Sequence, residues 1–183
     1  MTMKIGLYGG GFKPLTKGHF EVIQRASKEN DLVKLYVSTG DRIRKNEHPI
    51  FWSDMEQVWK RIIEKSLPKN VQVFYVPAPI KPIVQNALEL TADSDDVLTV
   101  YADPEDMDNI FYQKRLEKLR DVITSKKLNL IKLVRGSDTS NISGTMMRKF
   151  LELGLKDNFI KSLPAPLRKY GSYIFIKLNG FTD

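Results

Sequence analysis

The segment GGGFKPLTKGHF, residues 9–20, holds the side chains whose types and spacing could do chemistry. Its glycines leave backbone N–H groups bare, so that a ligand could approach them directly. His19 stands where a helix is predicted to begin, and the free N–H groups and dipole of a helix start favour negative charge. Lys13, Thr16 and Lys17 add two positive charges and a hydroxyl group. The segment therefore predicts a site that binds phosphate.

The segment departs from two common glycine-rich phosphate motifs. Gly9 and Gly11 fit the dinucleotide-binding pattern GxGxxG, but Pro14 occupies the position of the third glycine. The P-loop patterns GxxxxGKS and GxxxxGKT cannot be placed on the segment at all. A plain turn between a strand and a helix is the simpler interpretation of the glycines. The position of His19 is what favours a phosphate site.

The elements that must position these residues alternate along the chain. Strands are predicted at residues 4–8, 32–38, 71–76, 97–102 and 130–135. Helices are predicted at 18–29, 109–123 and 143–154. A further helix is expected to begin at the capping box formed by Ser53 and Glu56, and a short helix is expected after the proline-rich loop 77–82. This alternation predicts an α/β fold: a Rossmann-like parallel five-stranded sheet with helices on both faces. Ligands bind at the carboxyl ends of such strands. The segment 172–178 suits a strand by composition, and a helix stays open there.

The bulk composition fits one globular domain of ordinary hydrophobicity. The chain has 183 residues, of which 42% are hydrophobic, and residues 1–183 are treated as a single domain with 155–183 as its C-terminal extension. The absence of cysteine excludes disulfides and thiolate metal sites. No apolar run approaches the roughly 20 residues that span a bilayer, so a cytoplasmic location is expected. The formal net charge of +7 fits a nucleic-acid partner, an anionic small substrate or a solubilising surface.

Two motifs carry a family resemblance. GGFKPLTKGH, residues 10–19, resembles the signature G-T/S/R-F-x-P-x-H/T-x-G-H of the HxGH nucleotidyltransferases, the cytidylyltransferase-like superfamily. Its TxGH form is similar to that of phosphopantetheine adenylyltransferases. ISGTMMR, residues 142–148, resembles the second signature, I-S-S/T-T-x-x-R, and with the following GLKDNFIKSLP it is similar to phage-encoded members. The motifs come in the expected order, and the resemblance covers residues 4–164.

Three positions depart from the family pattern. Lys13 stands where many members have Asp, Asn or Gln, and Gly144 replaces a Ser or Thr, which removes one hydroxyl contact. YADPEDM, residues 101–107, matches a G-x-D-like turn only loosely because it contains Ala102. The first two departures leave the reaction class unchanged, whereas the third weakens any conclusion about which base is bound.

The resemblance implies an enzyme that carries out nucleotidyl transfer, in which an acceptor attacks the α-phosphate of a nucleoside triphosphate and pyrophosphate leaves. The leading expectation is transfer of AMP from ATP to a small phosphorylated acceptor such as nicotinamide mononucleotide. One alternative is a cytidylyltransferase that uses CTP to activate a phosphorylated alcohol or sugar. The other is a non-catalytic nucleic-acid-binding protein on the same fold, which the scattered basic residues and the lack of a basic tail count against.

Mg²⁺ is expected, held mainly through the nucleotide phosphates. A membrane partner is not expected, and homo-oligomerisation is left open.

The resemblance also implies roles for three groups of residues. The expected catalytic group is His19, which donates to the α-phosphate as charge develops, Thr16, which orients the attacking group, and Arg148, which grips the β- or γ-phosphate. The nucleotide phosphates are expected to meet the backbone and side chains of Gly10, Gly11, Phe12, Lys13, Ser143, Gly144 and Thr145. Arg42, Arg44 and Lys45 are candidates for binding the acceptor phosphate, and no protein ligand to a metal is expected.

Residue types alone also fit simpler roles for the same positions. Ser143 and Thr145 are common helix caps, and a lone arginine such as Arg148 is most often a solvated surface charge. The basic run 41–46 is typical of a solvated loop. His48, in the same region, is assigned no role.

Overall fold

The computed structural model describes residues 2–89, 95–102, 128–132 and 142–180, together with the single helical positions 114 and 117. The chain divides into two compact units, each built from three stretches of sequence. The first consists of Met1–Gly10, Val22–Ser38 and Pro68–Val134, and the second of Gly11–Glu21, Thr39–Leu67 and Arg135–Asp183. The single domain expected over residues 1–183, with its extension at 155–183, stays a prediction.

The first unit holds a parallel sheet of five strands in the order β3-β2-β1-β4-β5. The strands are β1 (Lys4–Gly10), β2 (Leu32–Ser38), β3 (Val71–Val76), β4 (Val97–Ala102) and β5 (Leu128–Lys132). The central strand β1 pairs in parallel with β2 and with β4. The strand order reverses at β1, as in other Rossmann-like sheets. The predicted α/β class with five parallel strands is therefore confirmed.

The strand bounds follow the apolar runs of the sequence closely. The predicted bounds of β2, β3 and β4 agree with the structure, and β1 continues through Gly10 rather than ending at Tyr8. The predicted start of the fifth strand at residue 130 is late, because β5 begins at Leu128 beside Leu98. Leu128 is buried, so its neighbour in β4 extends the strand beyond the local apolar run.

The helices are α1 (Lys17–Glu29), α2 (Trp52–Val58), α3 (Glu64–Ser66), α4 (Ile80–Leu88), α5 (Gly144–Leu153), α6 (Lys156–Lys161) and α7 (Gly171–Leu178), with a π-helical stretch at Trp59–Ile63 and a 3-10 helix at Ala165–Tyr170. The predicted helix at 109–123 lies outside the described residues except at its helical positions 114 and 117. In the described parts of the chain, no helix has the length and apolar character needed to cross a membrane.

Helix α4 closes one side of the core of the sheet unit. Its Ile83 and Ala87 pack into a buried cluster with strand residues such as Leu7 and Val100. A Cβ on Gly9 would lie 3.0 Å from Ile83 Cδ1 and 3.0 Å from Pro79 Cβ. The first glycine of the segment GGGFKPLTKGHF is therefore explained by packing inside the protein rather than by a ligand.

The start of α2 differs from the predicted capping box. The helix begins at Trp52, Phe51 takes the extended N-cap conformation, and neither its side chain nor Ser53 provides the cap. Instead, a carboxylate oxygen of Asp41 accepts a hydrogen bond of 2.8 Å from the Trp52 N–H. The prediction of Ser53 as N-cap was wrong because an acidic side chain from an earlier loop supplies the acceptor.

Two C-terminal helices differ in how well local signals foretell them. The Oγ of Ser143 accepts a hydrogen bond from the Met146 N–H, and Gly154 ends α5 with a φ of 69°, so both predicted ends of this helix are confirmed. At α7 the helical alternative is the correct one. Its buried residues Ile174, Phe175 and Leu178 recur at helical spacing, and packing thus overrides the β-rich composition.

Candidate active site

The loop that follows β1 combines one open position with one strained position. A Cβ on the exposed Gly11 would have no atom of the described protein within 4 Å. The next residue, Phe12, has a φ of 50°, which costs a residue with a side chain roughly 1–2 kcal/mol. Its buried ring holds this conformation, because the ring packs edge-on against His19 at 5.0 Å and tilted against Trp59 at 5.9 Å. The space beside Gly11 is therefore available to a ligand.

Thr16 and His19 form a reciprocal cap at the start of α1. Thr16 Oγ1 accepts a hydrogen bond of 3.2 Å from the His19 N–H, while the Thr16 N–H donates to His19 Nδ1 at 3.1 Å. This is a capping box in which a histidine replaces the usual acidic residue. Because a backbone N–H can only donate, Nδ1 must be an acceptor, and the neutral ring carries its proton on Nε2. The cap therefore makes His19 a hydrogen-bond donor through Nε2.

Arg148 is a buried cation rather than a solvated one. Only 6% of the residue is exposed. Nη1 donates to the Lys13 carbonyl oxygen at 3.0 Å, and Nη2 donates to Thr145 Oγ1 at 3.2 Å. Burial lowers the pKa of Arg148 to about 10, so the group stays charged at neutral pH. The contact with Lys13 joins the second signature motif to the first.

Glu47 connects Arg148 to the basic loop 41–50. The two oxygens of Glu47 accept hydrogen bonds of 2.9 and 3.2 Å from Arg42. Glu47 Oε2 also lies 3.3 Å from Arg148 Nε. This ion pair lacks hydrogen-bond alignment, and among the described residues Nε has no hydrogen-bond partner. The hydrogen bond from Arg42 is the main cause that lowers the pKa of Glu47.

Lys13 adds a second desolvated cation to the same unit. Its Nζ donates to the Gly11 carbonyl oxygen at 3.1 Å and lies 5.6 Å from the centre of the Trp52 ring. Burial lowers the pKa of Lys13 to about 8, while the charge of Asp41 opposes this shift. A desolvated ammonium group beside an open glycine strengthens attraction for an anion.

The start of α5 accommodates Arg148 through a missing side chain. A Cβ on Gly144 would lie 2.8 Å from Arg148 Nη1. The guanidinium group therefore folds back over a helix start at which Ser143 is the N-cap and Thr145 is a hydrogen-bond partner. With glycine at this position, no Cβ limits the approach of the guanidinium group to the start of α5.

The structure brings together part of the predicted site. Within the second unit, the contacts above join Gly11, Phe12, Lys13, Thr16 and His19 of the first motif, and link that motif to Gly144, Thr145 and Arg148. Gly10 is the last residue of β1. Ser143 is at the N-cap of α5, where its hydroxyl is bonded to Met146. The functional roles assigned to these residues stay predictions.

The predicted acceptor residues differ in their surroundings. Arg42 is paired through its guanidinium group with Glu47, whereas Arg44 and Lys45 are exposed. Sequence reasoning missed Glu47 and Asp41, because it treated 41–46 as a basic run. It also missed His48, whose Nε2 lies 2.9 Å from the Leu178 carbonyl oxygen of α7. The sequence did contain a signal for the two carboxylates, because Asp41 and Glu47 lie at the two ends of the basic run and are its natural ion-pair partners.

The described residues contain no group of three or more His, Cys, Asp or Glu side chains that could hold a metal ion. The carboxylates of Asp41 and Glu47 accept hydrogen bonds from the Trp52 N–H and from Arg42. Magnesium itself stays a prediction.

Comparison with known proteins shows a match to one family over most of the chain. A family model described as cytidylyltransferase-like matches residues 7–150. The chain is 36% identical to a phosphopantetheine adenylyltransferase of Lactococcus lactis subsp. lactis over 94 residues, which are 50% of this chain and 54% of that protein. It is 39% identical to that of Streptococcus pneumoniae over 92 residues, 50% of this chain and 52% of the relative. The matched region thus spans about half the length of these curated relatives.

Solved structures resemble the chain over almost its whole length. The nicotinic acid mononucleotide adenylyltransferase of Plasmodium falciparum matches with a TM-score of 0.61 and 19% identity over 98% of each chain. A bifunctional NMN adenylyltransferase/ADP ribose pyrophosphatase of Francisella tularensis matches with a TM-score of 0.62 and 12% identity, covering 97% of this chain and 52% of that one. At these identities the likeness concerns the fold.

Proposed function

We propose, because the chain belongs to the cytidylyltransferase-like family, that it is a nucleotidyltransferase that transfers AMP from ATP to a small phosphorylated acceptor and releases pyrophosphate. The observation that carries the proposal is the junction of the two motifs, in which buried Arg148 donates to the Lys13 carbonyl oxygen. The loop that follows β1 also provides the open backbone of Gly11 and leads to the oriented ring of His19 at the start of α1. Relatives and structural neighbours named above are adenylyltransferases of phosphorylated acceptors.

The proposed reaction needs placement and charge rather than a protein nucleophile. An oxygen of the acceptor phosphate attacks the α-phosphorus of ATP, the bond from that phosphorus to the bridging oxygen breaks, and pyrophosphate leaves with the electron pair. Negative charge grows on the α-phosphate oxygens in the transition state. His19 donates a hydrogen bond to one of them through Nε2 and keeps its proton. Such a donor acts most strongly as charge develops.

The remaining groups hold the triphosphate. The guanidinium group of Arg148 binds a β- or γ-phosphate oxygen, and Lys13 adds charge beside Gly11. The first N–H groups of α5 add a second set of donors. Mg²⁺ supplies charge neutralisation on the phosphates when bound. The resemblance implies that Thr16 orients the attacking group, but Thr16 is fully buried and its hydroxyl lies 3.1 Å from His19 Nδ1. In the proposed mechanism, Thr16 instead caps α1 and fixes His19.

The proposed acceptor is a mononucleotide such as nicotinamide mononucleotide, with the exposed Arg44 and Lys45 as candidate phosphate ligands. Phosphopantetheine, the acceptor in the names of the curated relatives, is the second acceptor to test. Arg42 is less suited, because Glu47 already binds its guanidinium group.

Pyrophosphate release tests the proposed function. The purified protein is incubated with Mg²⁺, each of the four nucleoside triphosphates, and a panel of acceptors that includes both compounds. Release with ATP and a phosphorylated acceptor is the expected result. Release with CTP alone would replace the proposal by the cytidylyltransferase alternative. Salt-dependent retention on DNA without any pyrophosphate release would favour the nucleic-acid-binding alternative.

The glycines at positions 9 and 11 give a matched pair of variants. Gly11→Ala fills space that no described protein atom occupies, so we expect an unchanged melting temperature and a KM for the nucleotide raised about tenfold or more, the cost of roughly one charge-assisted hydrogen bond. Gly9→Ala places a methyl group 3.0 Å from Ile83 Cδ1 and Pro79 Cβ, so we expect a lower melting temperature and an unchanged nucleotide KM. Thermal unfolding and steady-state kinetics distinguish the two. A normal nucleotide KM in Gly11→Ala would contradict a phosphate site at this backbone.

A further inference from the structure

The carboxylate of Glu47 is the negative centre of a cluster of arginines. It binds Arg42 through two hydrogen bonds and lies 3.3 Å from Arg148 Nε. The charges of Arg148, Arg42 and Arg44 all help to lower the pKa of Glu47, after the hydrogen bond from Arg42. The carboxylate is therefore ionised at neutral pH and faces three positive side chains.

Of the three nitrogen atoms in the Arg148 guanidinium group, Nε is the one that lies beside this carboxylate. Its two terminal nitrogens are bonded to Lys13 and Thr145, but the buried Nε has no hydrogen-bond partner among the described residues. The counter-charge beside this nitrogen is the carboxylate of Glu47, 3.3 Å away. A buried guanidinium group that loses its counter-charge becomes free to adopt other positions or to be drawn toward water.

The loop that carries Glu47 has anchors that do not need its charge. Backbone hydrogen bonds of 2.8 and 3.0 Å join Arg42 and Ile50 in both directions. Asp41 binds the Trp52 N–H, and His48 lies at hydrogen-bond distance from the Leu178 carbonyl oxygen. A Glu47→Gln variant should therefore keep the shape of the loop while losing the negative charge.

We propose that Glu47 is a positioning residue of the nucleotidyl transfer: its carboxylate fixes the guanidinium group of Arg148 for the triphosphate and, by the same charge, limits nucleotide affinity. The proposal rests on the proposed function. Placement of a charged group counts most in the transition state, so its loss lowers turnover. Removal of the negative charge makes the cluster more positive, so phosphate is attracted more strongly.

The kinetic test compares Glu47→Gln with Glu152→Gln. Glu152 is exposed on the same helix as Arg148 and pairs with Lys149 at 2.9 Å, so it controls for the loss of one negative charge. We expect kcat of Glu47→Gln to fall on the order of tenfold to a hundredfold, with an unchanged or lower nucleotide KM. Glu152→Gln should match the wild type. A raised KM with unchanged kcat, or equal kinetics in all three proteins, would overturn the proposal.

A double variant shows whether Glu47 acts through Arg148. In an Arg148→Ala background, Glu47→Gln should cause little further loss of kcat, because the group to be positioned is gone. Losses that simply multiply would overturn the proposal, since Glu47 would then act by another route.

A measurement without turnover separates this proposal from the proposed function. The Nε–H resonance of Arg148, assigned by its disappearance in Arg148→Ala, should be sharp in the wild type and in Glu152→Gln. It should broaden or shift in Glu47→Gln, and inorganic tripolyphosphate should bind that variant as tightly as the wild type or more so. An unchanged resonance would overturn the positioning role. If no triphosphate yields pyrophosphate with the wild type while the resonance responds as expected, the proposed reaction fails and the anchoring of Arg148 stands.

Discussion

Replacement of His19 by alanine lowers turnover by about 100- to 1,000-fold, the usual effect of losing one hydrogen-bond donor to transition-state charge. Nucleotide affinity falls far less, because the donor strengthens its contact only as charge develops on the α-phosphate. The structure adds a reason for this specificity. Thr16 occupies Nδ1 by donating its backbone N–H, so the neutral ring is fixed with its donor at Nε2 and does not act as a general base.

The measurement is steady-state kinetics beside direct binding of the nucleotide, for His19→Ala and His19→Asn. An asparagine offers both an acceptor for the Thr16 N–H and a donor of its own, so we expect partial recovery of turnover. Melting temperatures control for the loss of the reciprocal cap, which is worth on the order of 1 kcal/mol. Near-normal turnover of His19→Ala would refute the mechanism. Equal losses of affinity and turnover would make His19 a ground-state binding residue.

Replacement of Arg148 by alanine reduces kcat/KM on the order of 100-fold, because it removes a charged donor to the triphosphate from a desolvated site. Both parts should change: the KM for the nucleotide rises and turnover falls. The structure also predicts a lower melting temperature. Loss of Arg148 leaves the Lys13 carbonyl oxygen without its 3.0 Å donor, and an unpaired buried acceptor costs about 1–3 kcal/mol.

Two further variants separate binding from stability. Lys149 is the next residue on α5; it is exposed and pairs with the exposed Glu152. Lys149→Ala therefore removes a positive charge from the surface, and it should leave kinetics and stability unchanged. Arg148→Lys keeps the charge without the planar fork, so it should recover little activity. A lower melting temperature in Arg148→Ala together with unchanged kinetics would assign Arg148 a purely structural role.

Local sequence signals correctly predicted the bounds of an element where the residues that determine those bounds lie within or next to the element itself. Apolar runs located β2, β3 and β4, and Ser143 with Gly154 marked both ends of α5. The capping box at Ser53 failed because the acceptor at that helix start comes from Asp41, eleven positions earlier than Trp52. Spacing along the chain cannot reveal such an acceptor.

The sequence predicted which residues belong to the candidate site better than it predicted the contacts between them. The motifs drew attention to His19 and Arg148, but the type of Arg148 alone favoured a solvated charge, whereas the residue is 6% exposed. Its burial depends on partners that are distant in sequence, Lys13 and Glu47. The role of Gly144 in giving the guanidinium group space became visible only once the Arg148 side chain had a position.

The distance along the chain between Lys13 and Arg148 has a consequence for biosynthesis. These residues are 135 positions apart, and the second unit draws on three separate stretches of sequence. On the ribosome, the glycine loop emerges long before α5, so the nascent chain carries Lys13 before it carries the arginine that donates to the Lys13 carbonyl oxygen. Contacts between residues so far apart in sequence are slow to form, and this contact cannot form until α5 has been synthesised.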